Sequence, residues 1–113
     1  MIDVKVNEMD EVVILELIGE FDLDSISTVE NKWQEVVEKN PEVIGVNCKK
    51  LQFIDSSAIG TLVKFLNGAT SRGINLVFYD LSKSISAIFK TARLDNFFSI
   101  TTKEEFENKY LHN

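Results

Sequence analysis

The chain has 113 residues, of which 44% are hydrophobic and 27% charged, and its formal net charge is −6. These values are typical of one small soluble domain whose core needs neither disulfides nor a metal. The acidic balance argues against nucleic acid as a partner, since phosphate contacts need clustered lysine and arginine. No apolar run reaches the ~20 residues of a membrane-spanning helix, and residues 1–5 lack a signal-peptide pattern. We therefore expect a cytoplasmic protein without membrane insertion.

The first predicted elements are two strands followed by a helix. Residues 4–7 and 12–18 are predicted strands, and the second is too apolar to be half-exposed. Gly19 is expected to end it. In the helical pattern that follows, Ser27 and Glu30 fit a capping box at the helix start.

The second half of the chain alternates strands with helices. We predict strands at residues 43–48, 74–79 and 97–100, a helix after Asp55 with a left-handed C-cap at Gly73, a helix at residues 82–91, and a terminal helix with a Thr102–Glu105 capping box. Such alternation predicts right-handed crossovers. The expected fold of residues 1–113 is a single-domain α/β layer sandwich. Its sheet is mixed, mostly parallel and of about four to five strands, with helices packed against it.

Groups suited to catalysis are scarce in this chain. His112 is the only histidine and lies next to the C-terminus, which disfavours a Ser/His or Cys/His catalytic pair. Cys48 is the only cysteine and lies in an apolar stretch, where burial would raise its pKa and make it unreactive. The five glycines form neither a dinucleotide fingerprint nor a phosphate-binding loop. We expect no enzymatic activity, no cofactor and no metal.

Three carboxylates follow predicted strands and are expected to converge. Asp22 and Asp24 follow the first long strand, and Asp55 follows the second. In a parallel sheet these strand ends share one edge, where α/β ligand sites form. A magnesium site there is one interpretation. The favoured alternative is that Asp24 and Asp55 cap helices.

The most informative segment is residues 53–60, with the sequence FIDSSAIG, where an apolar run ends and a helix is predicted to begin. Either Asp55 or Ser56 can serve as the N-cap of that helix. A serine at a helix start is also a good phosphorylation site, because phosphate adds about −1.5 to −2 charges that helix-end amides help to hold. The residues alone favour the cap over the switch.

Residues 17–22 (LIGEFD) and 53–60 (FIDSSAIG) together resemble the STAS domain of bacterial anti-sigma factor antagonists. The similarity continues through residues 72–76, the helix at Ser82 and residues 94–98, so it covers nearly the whole chain.

The resemblance implies a phosphorylation-controlled binding protein with no catalysis of its own. Ser56 would be phosphorylated by a partner that is both anti-sigma factor and serine kinase. A metal-dependent serine phosphatase would reverse the modification. The unphosphorylated form would bind the partner and release a sigma factor. In this scheme Asp22 helps partner binding or phosphoryl transfer. Asp55 fixes the corner, the strand-to-helix turn at residues 53–60, and Ser57 supports the loop or caps the helix.

The helix after the corner departs from the family at one position. Residues 58–60 are Ala-Ile-Gly, where the family often has Gly-Leu-Gly, which indicates either a different partner or a change in helix packing. The predicted core stripe of this helix consists of Ile59, Leu62, Val63, Leu66 and Ala69. Ala58, Thr61 and Phe65 are predicted to lie off that stripe and to contact the partner. For Phe65, packing beneath a neighbouring element is the favoured alternative.

Two other functions remain open from the sequence. One is a STAS-like interaction subunit of a lipid-transport or other signalling assembly, in which Ser56 is only a cap. The other is a nucleotide-binding or enzymatic domain that uses Asp22 and Asp55 with magnesium. The missing acid-base and phosphate-cradling residues disfavour the latter.

Overall fold

A computed structural model describes residues 1–111, so His112 lies outside the described residues. Within that range the strands are β1 (Ile2–Met9), β2 (Val12–Phe21), β3 (Val43–Asn47), β4 (Leu51–Ile54), β5 (Asn75–Tyr79) and β6 (Ser99–Thr101). The helices are α1 (Ile26–Val37), α2 (Ser56–Ser71), α3 (Lys83–Thr91) and α4 (Lys103–Tyr110), and a 3₁₀ turn at Leu23–Ser25 precedes α1.

The six strands form one mixed sheet in the order β1-β2-β3-β5-β6, and β4 pairs with the end of β2. Only β1 is antiparallel to its neighbour; the other pairings are parallel. The α/β layer sandwich is thus confirmed. The predicted count of four to five strands falls short by β4, whose four residues are too few for a period to be recognised.

The prediction that Gly19 ends β2 is wrong, because the strand continues to Phe21. Gly19 has a φ of +106°, and the register shifts between Gly19 and Glu20. Its amide donates to the carbonyl of Lys50 at 3.0 Å. Glycine tolerates this backbone conformation, so the strand continues through a bulge at Gly19 and does not end there. The bulge lets β2 pair first with β3 and then with β4.

The two faces of the sheet are covered unequally. The main core lies between one face and helices α1 to α3, and it includes Phe21, Ile54, Val29, Leu62 and Phe89. A second, smaller core lies on the other face, where Phe106 of α4 packs in a cluster with Val12, Ile14, Val43, Val77 and Tyr79. The sheet is therefore buried on both sides, which explains its continuous apolar strands.

Most helix ends agree with their local sequence. The Thr102–Glu105 capping box is confirmed, with amide-to-side-chain distances of 2.9 and 3.1 Å. Gly73 follows α2 with a φ of +72°, as predicted for a left-handed C-cap. The predicted capping box of Ser27 is wrong, because α1 begins at Ile26, two residues before the start that an N-cap at Ser27 implies. The 3₁₀ turn leads the chain into α1 and makes Ser25 the N-cap.

Candidate functional site

The corner around Ser56 is built by two paired strands that end together. β2 and β4 are parallel neighbours with Phe21 opposite Ile54, so Asp22 and Asp55 leave the sheet side by side. The amide of Asp55 donates to the carbonyl of Phe21 at 3.2 Å. The prediction that Asp22 and Asp55 lie at one edge of the sheet is confirmed, although the strand before Asp55 is β4 and not the predicted strand at residues 43–48.

Asp55 joins the two segments that leave the sheet. Its Oδ1 accepts a hydrogen bond from the amide of Ala58 at 2.9 Å, which makes Asp55 the N-cap of α2. Its Oδ2 accepts from the amide of Leu23 in the 3₁₀ turn at 3.0 Å. Of the two cap candidates, Asp55 therefore fills the role, and Ser56 is left as the first residue of the helix.

Asp22 is half-buried and is held by Ser25. The Ser25 hydroxyl accepts from the amide of Asp22 at 2.9 Å and lies 3.2 Å from its carboxylate Oδ1. Asp24 is exposed within the 3₁₀ turn and is not a cap, so that part of the prediction is wrong. Among residues 1–111, no group of three or more His, Cys, Asp or Glu side chains is placed to hold a metal ion.

The two serines of the corner differ in access to solvent. Ser56 is exposed, whereas Ser57 is only partly so, and the Ser57 carbonyl accepts a bond from the Thr61 hydroxyl at 3.1 Å. Asp55, and not Ser57, accepts the capping hydrogen bond. Ser56 is thus the corner hydroxyl most open to an enzyme or partner.

Three residues predicted to face the partner are buried instead. Ala58 is 0% exposed, Thr61 5% and Phe65 6%, so the prediction that they lie off the core stripe is wrong. The buried face of α2 is rotated from the predicted one, because α2 packs against α1 as well as against the sheet.

Phe65 shows this rotation most clearly. Its ring stacks on that of Trp33 in α1, with centroids 4.3 Å apart and planes 9° from parallel. The alternative interpretation, that Phe65 packs beneath a neighbouring element, is therefore confirmed. The methyl group of Ala58 likewise belongs to the main core. This burial favours helix packing as the reason for alanine in place of the usual glycine.

Two exposed apolar residues near the corner were not predicted from the sequence. Leu23 is 69% exposed and Phe53 47% exposed. Leu23 bonds Asp55 through its amide, and Phe53 lies two residues before Asp55 in β4. The available signal was Leu23 itself, an apolar residue between Asp22 and Asp24 that fits neither the strand pattern nor the helix pattern.

A family model for the STAS domain matches residues 3–108. The chain belongs to the STAS domain family. The solved structure of an anti-sigma factor antagonist from Mycobacterium paratuberculosis matches this STAS domain with a TM-score of 0.86 at 16% identity, covering 99% of this chain and 96% of that one. The phosphorylated form of the Bacillus cell fate determinant SpoIIAA matches with a TM-score of 0.71 at 19% identity, covering 95% of this chain and 98% of that one.

A third solved structure comes from a different kind of protein. The sulfate transporter family protein from Wolinella succinogenes matches with a TM-score of 0.70 at 17% identity, covering 87% of this chain and 83% of that one. At these identities the three matches establish a shared fold. In this STAS domain, no helix formed by residues 1–111 is both long enough and apolar enough to cross a membrane.

Replacing Asp55 by alanine is expected to destabilise the STAS domain by about 2 kcal/mol, because the amides of Ala58 and Leu23 both lose their acceptor. Urea unfolding measures this loss. Asp55→Asn is the matched control, since its amide keeps one acceptor oxygen, and its loss should be about half as large. Equal losses in the two variants would contradict the two-sided role of Asp55.

Cys48 is fully buried, and burial raises the pKa of its thiol to about 12, with a further contribution from the Asp80 carboxylate. The folded state therefore holds this proton more tightly than the unfolded chain does. The free energy of unfolding should therefore keep its full value below pH 9.0 and should fall as the pH rises towards about 12.

A thiol reagent provides the direct measurement for Cys48. We expect it to react slowly with the native domain at pH 8 and rapidly in urea, because only the thiolate reacts and only unfolding exposes it. Reaction of the native domain at the rate of a small free thiol would contradict this assignment.

Proposed function

We propose that this STAS domain is an anti-sigma factor antagonist that binds an anti-sigma factor with serine kinase activity. Phosphorylation of Ser56 controls the binding, and the unphosphorylated form docks and frees a sigma factor. The observation that carries this proposal is the placement of Ser56 as an exposed first residue of α2. The residue before it is engaged in hydrogen bonds, and the residue after it is partly buried.

The charges at the corner explain why a phosphate would act as a switch. A phosphate adds about −1.5 to −2 charges at neutral pH. It would stand next to Asp55, at a strand edge that also carries Asp22. The Ala58 amide, which a phosphate at a helix start would otherwise attract, is already bonded to Asp55. That amide is therefore not available to compensate the added charge, and the repulsion from Asp55 and Asp22 would weaken docking.

Exposed apolar side chains supply the other half of the docking surface. Leu23 and Phe53 offer apolar area close to Ser56 in place of the buried Ala58, Thr61 and Phe65. Asp22 and Asp55 offer carboxylates at the same edge. Apolar anchors bordered by a polar rim are typical of protein interfaces.

The domain acts in this scheme as a binding module and substrate, not as an enzyme. The kinase belongs to the anti-sigma factor, and a metal-dependent serine phosphatase resets Ser56. Any metal needed for either reaction is brought by those partners.

The test is phosphosite mapping by mass spectrometry on the protein recovered from its native cells, both growing and stressed. We expect stoichiometric phosphate on Ser56 whose amount changes with condition, and none on the half-buried Ser57. A chromosomal Ser56→Ala variant controls for misassignment between the two serines. Absence of phosphate in every condition would overturn the switch and leave the fold untouched.

A second candidate is a STAS interaction subunit of a transport or other signalling assembly. It is favoured by the similarity to a structure described as a sulfate transporter family protein. In that case Ser56 would be an ordinary surface residue at a helix start. Unmodified protein that co-purifies with a membrane transport complex would support this candidate over the first.

A further inference from the structure

β1 is an edge strand of the sheet, and one of its two sides has no backbone partner within residues 1–111. The amide of Glu20 in β2 donates to the carbonyl of Met1 at 3.0 Å, so the backbone of Met1 faces β2. Because hydrogen-bonded and non-hydrogen-bonded pairs alternate along antiparallel strands, the odd-numbered residues of β1 bond β2 and the even-numbered ones point away. Ile2, Val4 and Val6 therefore direct their amides and carbonyls outwards along an open edge.

The side chains of this edge are apolar on one face of the sheet and charged on the other. Val4 is buried in the main core, Ile2 packs against that core, and Val6 is 37% exposed. Asp3 and Lys5 point to the opposite face and are exposed. The ion pairs found within residues 1–111 include neither of them. A further strand at this edge could cover the exposed valine and pair both charges.

The outward backbone groups restrict how two copies of β1 can pair. In an antiparallel pair, residues with outward groups must face each other, so a two-fold axis must pass through a residue and not between two residues. An axis at Val4 places that residue opposite its own copy and Ile2 opposite Val6. It also places Asp3 opposite Lys5 on the other face. Each of these pairs is either apolar with apolar or acidic with basic.

The neighbouring registers lack this complementarity. An axis at Asp3 or at Lys5 would bring two identical charges directly opposite each other, which is destabilising. An axis at Val6 would set the buried Val4 opposite the charged Glu8. Glu8 already forms an ion pair within its own domain, and the register centred on Val4 leaves it outside the overlap.

We propose that the open edge of β1 pairs with the same edge of a second copy of this chain, antiparallel and centred on Val4. The pairing joins the sheets of the two copies into one continuous sheet. Charged side chains on an edge strand usually oppose such pairing. In this register they favour it, because each Asp3 faces a Lys5 of the other copy. The proposal goes beyond the function proposed above and does not depend on phosphorylation of Ser56.

Sedimentation velocity of the purified domain from about 5 to 500 μM measures the association. We expect a concentration-dependent equilibrium between monomer and dimer that weakens as salt is raised. Hydrogen exchange followed by NMR at both ends of this range locates the contact. The amides of Val4 and Val6 should exchange more slowly at high concentration, and those of β6, the opposite edge strand, should not change. A monomer at every concentration would overturn the proposal.

Val6→Pro tests the role of the outward backbone groups. Proline has no amide hydrogen, and the Val6 amide faces away from β2, so the hydrogen bonds between β1 and β2 stay complete. The dimer should be lost, while urea unfolding still shows a folded domain. Val6→Thr is the matched control, because it keeps the amide and the branched shape and should still dimerise. A Val6→Pro domain that associates like the unmodified protein would count against pairing at this edge.

Opposite charge changes test the register and do not depend on the proline variant. Asp3→Lys and Lys5→Asp should each weaken self-association about tenfold or more, because like charges then face each other. An equal mixture of the two variants should form a heterodimer, since each lysine again meets an aspartate. Glu104→Lys and Lys103→Asp make the same changes in net charge on α4 and should change self-association about twofold at most. A mixture that stays monomeric would rule out the register centred on Val4.

Discussion

Gly45→Val is expected to destabilise the domain by about 3 kcal/mol, among the largest losses available to a single substitution here. A Cβ at Gly45 would overlap the Phe106 ring, whose Cε1 would lie 2.8 Å away. The ring has little room to move, because it stacks on Tyr79 with centroids 4.1 Å apart. The backbone is equally constrained, since β3 lies between β2 and β5.

Urea unfolding of matched variants tests the cause. Gly60→Ala is the control, because a Cβ there meets no atom within 4 Å; it should stabilise the domain by up to about 1 kcal/mol. In a Phe106→Leu background the cost of Gly45→Ala should fall, since the smaller side chain can yield. An undiminished cost in that background would show that the ring is not responsible.

Ser56→Asp is expected to weaken binding of the proposed anti-sigma partner about 100-fold or more, while Ser56→Ala keeps full affinity. A loss of a few kcal/mol of binding free energy is enough for this change, because each ~1.4 kcal/mol is tenfold in affinity. The aspartate would bring a negative charge to a corner that already carries Asp22 and Asp55. Folding should be unaffected, because Ser56 is exposed and a carboxylate in the first turn of a helix is favourable.

Calorimetry with the partner captured by Ser56→Ala measures this difference. Thr70→Asp is the matched control, since it adds the same charge at an exposed site near the far end of α2. It should leave the affinity within about twofold of the unmodified protein. Equal affinities of Ser56→Asp and Ser56→Ala would refute the electrostatic account, whatever the fold.

The face that α2 buries could not be deduced from the sequence. Apolar side chains surround much of this helix: Ile59, Val63 and Leu66 give one helical stripe, and Ala58, Leu62 and Phe65 give another that overlaps it. Period alone cannot rank two such stripes. Trp33 in α1 and the sheet beneath decide between them, and they do so through contacts distant in sequence.

Short-range interactions made other features predictable. The Thr102–Glu105 box and the Gly73 cap each depend on a few successive residues, so both can be recognised from the local sequence. The start of α1 was misplaced because Ser25 and Asp22 bond each other in a 3₁₀ turn that has no hydrophobic period.

The sequence by itself determined the α/β alternation, the helix caps closed by near neighbours, and the place where Asp22, Asp55 and Ser56 would meet. These features follow from the hydrophobic period and from the order of the elements, and both can be recognised in the sequence. The tertiary structure alone decided that Asp55 ties α2 to the 3₁₀ turn, that β4 extends the sheet past the Gly19 bulge, and that Phe65 of α2 packs on Trp33 of α1. Each of these depends on residues brought together across long stretches of chain, and no local pattern encodes such contacts.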